Sequence, residues 1–237
     1  MFFEMFLAAG AVYGYRRFVR RTPMSKAHMA DWRAPIAARA EASGMLGERL
    51  THAKLRETLS WCCGSEFYLH DGSVIIEHAP GTRYPTIEID HLAITPFGVF
   101  IFETKNWSGL IQPSSNPDAL LRSTDTGVAE ERKSPIAQNR SKLAFLRSVL
   151  PRDWLVAGAG VFSSSECRLA ADLDLDLISL AEIPSWLRHQ RQYASESRID
   201  IEMARKAICK FIDTDPNALI QHKQRIYQNE PAMSRNI

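Results

Sequence analysis

Two strand-like runs joined by a short reversal constrain this chain more than any other feature. Residues Thr86–Thr95 and Val99–Asn106 are rich in β-branched and aromatic side chains, and Pro96 and Phe97 lie between them. A turn centred on Pro96-Phe97 pairs Thr95 with Gly98, so the two runs are predicted to form an antiparallel hairpin. In that register Asp90 lies opposite Glu103.

The hairpin brings charged side chains together on one side. Side chains alternate along a strand, so Glu103 and Lys105 share a face, and opposed residues have Cβ atoms roughly 4.5 to 5.5 Å apart. Two opposed carboxylates destabilise a sheet unless a cation lies between them. Mg²⁺ commonly takes one or two carboxylates, together with water and phosphate oxygens. We therefore predict that Asp90 and Glu103 bind Mg²⁺ or Mn²⁺, and that Lys105 orients water or offsets phosphate charge.

A simpler interpretation of the same residues has Glu103 and Lys105 as a surface ion pair, with Asp90 solvated beside them. The apolar side chains of Phe100, Ile101 and Phe102 immediately precede Glu103 and argue against a fully solvated strand. His91 is predicted to be a core histidine. Glu88 fits either a supporting role at the site or a surface charge.

Composition excludes several classes of protein. The chain has 237 residues, 29 Lys and Arg against 27 Asp and Glu, and 45% hydrophobic residues. This balance is that of a globular protein and argues against wholesale disorder, a collagen-like repeat and a multi-span membrane protein. The four cysteines have no spacing typical of a zinc site or a disulfide framework, and we expect buried thiols in a reducing compartment.

The N-terminal segment, residues 1–21, pairs an uncharged apolar run with a cluster of arginines from Arg16 to Arg21. As a helix, residues 1–15 would extend about 22 Å, which is less than the ~30 Å hydrocarbon core of a bilayer. A short membrane anchor and an apolar helix docked on protein both remain open. Insertion would leave the rest of the chain on the cytoplasmic side. We expect a cytoplasmic protein, with anchoring to the inner face of the inner membrane as the alternative.

Periodicity and turn signals predict the remaining elements. Residues 22–36 indicate a linker, 37–190 one domain, and 191–237 a helical extension. The fold class is α/β (α+β), a mixed sheet flanked by helices after an apolar N-terminal helix. The individual predictions are a helix at Ile36–Leu59 with Ala42, Leu46, Leu50 and Ala53 on its apolar face, a hairpin at Asp71-Gly72, a helix from Ser134-Pro135 to about Leu150, strands at Trp154–Phe162 and Leu173–Leu180, and helices at Ile183–Gln190 and Arg198–Ile212.

The stretch from Glu88 to Gly109, EIDHLAITPFGVFIFETKNWSG, resembles the nuclease-related domain family, a branch of the restriction-endonuclease-like or PD-(D/E)XK fold. Gly44-x-x-Gly47-Glu48 fits the family's first block and Pro135-x-x-Gln138 fits its third. The resemblance extends from Gly44 to about Leu150, weakens towards Arg188, and departs from the family pattern after Gly109.

The resemblance implies a role for each matching residue. Asp90 and Glu103 would be metal ligands and Lys105 the catalytic lysine. Glu48 would project from the first helix towards the same metal, and Gln138 would lie at the edge of the site, contacting DNA or a ligating carboxylate. The implied activity is metal-dependent hydrolysis of phosphodiester bonds.

A nuclease must also bind a polyanion, and the basic residues between Arg122 and Arg152 could contact phosphates. Acidic residues are interspersed among them, so we interpret this run as a solvated face and expect modest, salt-sensitive affinity for DNA. The favoured hypothesis is a Mg²⁺-dependent nuclease acting on DNA. The alternatives are a non-catalytic nucleic-acid-binding or scaffold module tethered through residues 1–21, and a purely structural membrane-proximal domain.

Overall fold

A computed structural model describes residues 26–124, 126–194 and 198–229, with side chains from residue 38 onward. The chain divides into two units, Met1–Ser43 and Gly44–Ile237. The predicted apolar N-terminal segment, residues 1–21, lies outside the described residues. Within the described ranges, no helix combines the length and apolar character needed to cross a bilayer.

Five helices and eleven strands make up the described part of the chain. The helices are α1 (Lys26–Cys63), α2 (Pro135–Val149), α3 (Ile183–Arg191), α4 (Ile201–Cys209) and α5 (Ala218–Asn229). The strands are β1 (Tyr68–Leu69), β2 (Val74–Glu77), β3 (Thr86–Ile89), β4 (His91–Thr95), β5 (Gly98–Lys105), β6 (Gly109–Pro113), β7 (Ala119–Ser123), β8 (Ala129–Lys133), β9 (Val156–Phe162), β10 (Cys167–Leu169) and β11 (Leu177–Ser179).

A five-stranded mixed sheet in the order β1-β4-β5-β9-β11 carries the core. Strand β5 pairs antiparallel with β4 and parallel with β9. Alternate side chains of β5 enter two cores. Val99 and Ile101 pack with Leu146 of α2, whereas Phe100 and Phe102 pack with Leu55 of α1 and with α3. The predicted mixed sheet flanked by helices is therefore confirmed, and Glu103 follows Val99 and Ile101 on the face that α2 covers.

The hairpin register is confirmed, because Thr95 pairs with Gly98 and His91 with Phe102. The predicted continuous strand Thr86–Thr95 is wrong, however, since the chain breaks at Asp90 into β3 and β4. Strand β3 pairs with β2 in a separate two-stranded sheet, while β4 stays in the main sheet. Asp90 therefore lies at the point where the chain passes from one sheet to the other.

The hairpin predicted at Asp71-Gly72 is also wrong. Gly72 has a φ of +78°, as a tight turn requires, but β1 pairs with β4 and β2 pairs with β3. The turn at Gly72 is therefore present, but the strands on its two sides pair with strands more distant in sequence and not with each other.

The predicted strand Leu173–Leu180 is limited to β11, and Leu175 is 80% exposed.

The region after Gly109 contains structure that the sequence did not predict. Strands β6, β7 and β8 form an antiparallel meander, and β10 adds to it in parallel. Strand β8 was not predicted because its sequence, AEERK, is mostly charged and therefore resembles a loop, although its exposure alternates as in a strand.

The expectation of buried thiols also fails, since Cys209 is exposed and the other three cysteines are half-buried.

Helix α1 is confirmed but starts earlier than predicted and buries a different face. Leu46 and Leu50 are 44% and 42% exposed, whereas Gly47, Thr51 and Leu55 are buried. The spacing was helical, but the apolar stripe chosen from the sequence is not the one in the core. Gly47 permits a close approach, since a Cβ there would lie 2.6 Å from Ser163 Oγ and 2.8 Å from Asn106 Cβ.

Gly44 and Gly47 in the same helix offer a matched pair of substitutions. Gly47→Ala should lower the free energy of unfolding by about 1–3 kcal/mol, because the new methyl group overpacks the contact with Asn106 and Ser163. Gly44→Ala should raise it by about 0.5–1 kcal/mol, because no atom of the described residues lies within 4 Å of a Cβ there and alanine favours the helix. Urea unfolding of both variants tests this. Equal effects would contradict the close approach at Gly47.

Candidate functional site

A pocket of about 420 Å³ opens where β3, β5, α2 and α5 meet. Asp90 and Glu103 contribute to its lining, as do Gln138 and Lys142 from α2. The sequence therefore predicted correctly that the two carboxylates face a common, solvent-connected space. The other lining residues are Tyr84, Thr86, Ile87, Glu88, Lys133, Ser141, His222 and Ile226.

Glu103 lies between two lysines. It is 4% exposed, and its Oε1 accepts a hydrogen bond of 2.7 Å from Lys105 Nζ while its Oε2 accepts one from Lys142 Nζ. Burial alone would raise the pKa of Glu103, but the ammonium groups of Lys142 and Lys105 outweigh it and hold that pKa below its usual value. Glu103 is therefore ionised and buried, which excludes the surface ion pair considered from the sequence.

Asp90 occupies the break between β3 and β4. Its Oδ2 accepts a hydrogen bond of 2.9 Å from the backbone N–H of Thr104, so a side-chain oxygen replaces a strand carbonyl at this position. Burial, and next the negative charge of Glu103, raise the pKa of Asp90 to about 7. The two carboxyl groups thus interact electrostatically, and Asp90 takes up a proton at a higher pH than an ordinary aspartate.

Glu48, Glu88 and Gln138 lie around this pair. Partial burial, followed by the carboxylate of Glu88, raises the pKa of Glu48, and the charges of Glu103 and Lys105 also act on it. Helix α1 therefore brings Glu48 within electrostatic range of the site. Glu88 is half-buried in the pocket wall. Gln138 also lines the pocket, and its Oε1 is buried without a hydrogen-bond partner among the described residues.

Lys142 is a residue at the site that the sequence does not single out. It lies in the basic run between Arg122 and Arg152, which the sequence predicts to be a solvated face. Its position on α2 carried a signal, because the buried residues of that helix are Pro135, Asn139, Lys142 and Leu146, which follow the helical period. A lysine on the buried face of a helix needs an acidic partner, and Glu103 is that partner.

Three other residues of the basic run form ion pairs with acidic residues of the chain. Arg122 and Arg132 form ion pairs with Glu130, and Arg140 forms one with Asp118. This agrees with the interpretation of the run as a solvated face.

His91, predicted to be a core residue, is 2% exposed, and its Nε2 lies 3.1 Å from Thr104 Oγ1.

The donor set fits a hard cation. Among the described residues no group of three acidic, histidine or cysteine side chains is close enough to form a complete metal centre. Mg²⁺ seldom needs one, because one or two carboxylates suffice when water and phosphate oxygens complete the shell. Asp90 and Glu103 could supply the carboxylates, and the Oε1 of Gln138, which has no hydrogen-bond partner in the described part of the chain, could supply a further oxygen ligand. A cation at Glu103 would displace one of its two lysine contacts.

The raised pKa of Asp90 predicts a pH-dependent effect of Asp90→Asn. The stability that the raised pKa provides is fully present below the unfolded-state pKa near 3.8, and it is lost as pH rises through about 7. In EDTA at pH 8 the variant should therefore exceed the wild type in free energy of unfolding by on the order of 1–3 kcal/mol, with little difference at pH 4.

The quantity to measure is the difference in free energy of unfolding between variant and wild type, because the titration of His91 changes the stability of both proteins with pH in the opposite direction. Burial lowers the pKa of His91 to about 4, so its contribution is present above its unfolded-state pKa near 6.5 and is lost as pH falls towards 4. Chemical denaturation from pH 4 to pH 8 tests the prediction. A difference that does not grow with pH would contradict it.

Lys142→Met should destabilise the fold because it leaves the buried carboxylate of Glu103 with a single ammonium partner. We expect a loss of about 3 kcal/mol in free energy of unfolding. Arg140→Met, in the same helix, removes an exposed ion pair with Asp118 and should cost less than about 1 kcal/mol. Equal losses in thermal or urea unfolding would show that Lys142 does not compensate a buried charge.

Comparison with protein families gives a match to the model of the nuclease-related domain over residues 43–163, just over half of the chain. No curated protein and no solved structure matches the chain. The matched residues include Glu48, both carboxylates of the pocket, Lys105 and the helix that carries Gln138 and Lys142. A restriction-endonuclease-like assignment is consistent with that family and with the mixed sheet. The chain belongs to the nuclease-related domain family.

Proposed function

We propose that this chain is a Mg²⁺-dependent nuclease that hydrolyses phosphodiester bonds in DNA. The observation that carries the proposal is that Asp90 and Glu103 line one solvent-connected pocket while Lys105 donates a hydrogen bond to Glu103. The ion pair between Lys105 and Glu103 keeps a cationic donor beside two acidic groups. A purely structural sheet has no need of such an arrangement, because apolar residues of similar volume stabilise a core as well or better.

Asp90, Glu103 and the Oε1 of Gln138 would hold the cation. When bound, Mg²⁺ supplies Lewis-acid polarisation of a phosphoryl oxygen and lowers the pKa of a bound water. Asp90 must release its proton to become a ligand, so cation binding should strengthen as pH rises through about 7.

The lysine contacts define the roles of the remaining groups. Lys105 Nζ can turn from Glu103 Oε1 towards a phosphate oxygen and offset the negative charge that develops there in the transition state. Lys142 holds the other oxygen of Glu103 and so orients the carboxylate. Glu48 and Glu88 add negative charge at the margin of the site, where they can accept hydrogen bonds from an attacking water.

One observation favours the alternative, a nucleic-acid-binding or scaffold module without turnover. Both oxygens of Glu103 already have ammonium partners, so its charge is compensated without a metal ion. A structural ion triad of this kind could persist in a protein that has no catalytic activity. The two functions differ in whether a divalent cation enables cleavage.

Incubation of the full-length chain with plasmid, branched and single-stranded DNA, in Mg²⁺, Mn²⁺ or EDTA, tests the proposal. We expect cleavage with either metal and none in EDTA. Lys105→Ala and Asp90→Asn should each reduce the rate at least about 100-fold, because each removes a group that acts on the developing charge or on the cation.

Lys206→Ala is the matched control, since Lys206 is an exposed lysine in α4 away from the pocket and its removal should leave the rate unchanged. Cleavage that survives both site substitutions would indicate a contaminant or a different site. DNA binding without cleavage in every metal would favour the scaffold function instead.

A further inference from the structure

One wall of the pocket comes from α5, which lies outside the residues that match the family. His222 of α5 is 6% exposed, and its Nδ1 lies 2.8 Å from Thr86 Oγ1 on β3. Ile226, one helical turn further on, lines the same pocket as Asp90 and Glu103. The hydrogen bond between His222 and Thr86 fixes α5 against β3, so the C-terminal extension helps to define what can reach the two carboxylates.

The pocket also contains an accessible aromatic ring. Tyr84, which precedes β3, is 48% exposed and lines the pocket, and the guanidinium carbon of Arg83 lies 5.5 Å from the centre of its ring. Ile226 is 38% exposed and adds an apolar surface, and the exposed Lys133 adds a cation. Aromatic rings and cations together are what proteins use to bind unpaired bases and their phosphates.

The dimensions of the pocket select between single-stranded and duplex DNA. About 420 Å³ lies in the range of pockets that enclose one small ligand, and Glu103 at its base is almost fully buried. In a duplex the bases are stacked and paired, so none can contact Tyr84 unless it leaves the stack, at a cost of a few kcal/mol. An unpaired nucleotide reaches the same position without that cost.

We propose that this pocket binds one unpaired nucleotide, with its base against Tyr84 and Ile226 and its phosphate towards Asp90 and Glu103. The preferred substrate is then single-stranded DNA or a single-stranded end. This inference rests on the proposed nuclease function, because it assigns the substrate class of the same site. Helix α5 contributes to this preference because His222 and Ile226 form one wall of the pocket.

Fluorescence anisotropy of the full-length Lys105→Ala chain in Mg²⁺ tests the inference, because this variant keeps the carboxylates and Gln138. The probes are a labelled single-stranded oligonucleotide and a blunt duplex of matching sequence. We expect the single strand to bind at least about tenfold more tightly, since the duplex must unstack a base. Adding Tyr84→Ala should weaken single-strand binding about 5- to 100-fold, whereas Tyr84→Phe should retain it.

Tyr193→Ala is the matched control, because Tyr193 is also an exposed tyrosine but does not line the pocket. Equal affinity for the two probes, no binding to either, or equal effects of Tyr84→Ala and Tyr193→Ala would overturn the inference. Selective single-strand binding through Tyr84, combined with a wild-type chain that cleaves no DNA, would support the inference and overturn the nuclease proposal alone.

Discussion

The buried carboxylate of Glu103, held by Lys105 and Lys142, is the interaction on which the rest of the site depends. An ionised group in the core is costly unless it is paired and hydrogen-bonded, and each oxygen of Glu103 has an ammonium partner. Lys105 comes from the same strand and Lys142 from α2, so the triad joins the central strand of the sheet to the helix that covers it. The position of α2 in turn places Gln138 at the pocket.

The break at Asp90 is the second constraint. In the register of β4 and β5, a continuous strand would have placed Asp90 opposite Glu103 and Ile89 opposite Thr104. At the passage between the two sheets the Thr104 N–H instead donates to the side chain of Asp90, and this bond fixes the carboxyl group. This placement keeps Asp90 beside Glu103, although only one of the two residues lies within a strand. Their proximity accounts for part of the raised pKa of Asp90.

The sequence predicted those features that depend on local geometry. The reversal at Pro96-Phe97 set the register of the hairpin, because a tight turn fixes which residues of the two strands lie opposite each other. That register placed Asp90 close to Glu103. The start of α2 followed from Ser134 and Pro135, because proline is favoured in the first turn of a helix. The buried face of α1 was misassigned, because its core-facing positions include Gly47 and Thr51, which carry no strong apolar signal. Which stripe enters the core depends on Asn106 and Ser163, which are distant in sequence.

The part of the site that escaped prediction depends on contacts between distant segments. Lys142 and Glu103 belong to different elements, and only the packing of α2 on β5 brings them together. The contribution of α5 had no recognisable motif, because His222 and Ile226 reach the pocket through helix packing alone. The nuclease-related resemblance covered the residues of the hairpin and α2, and it gave no information about a wall formed outside the family's limits.

The charges of the side chains around Glu103 determine how strongly the pocket attracts a polyanion. Asp90, Glu103, Lys105 and Lys142 carry two acidic and two basic groups, whose formal charges cancel when all are ionised. With all four groups ionised, the cluster exerts little long-range attraction on a phosphate backbone. A bound divalent ion would make the same position electropositive. Under the proposed function, the cation would therefore also strengthen the attraction between the pocket and nucleic acid.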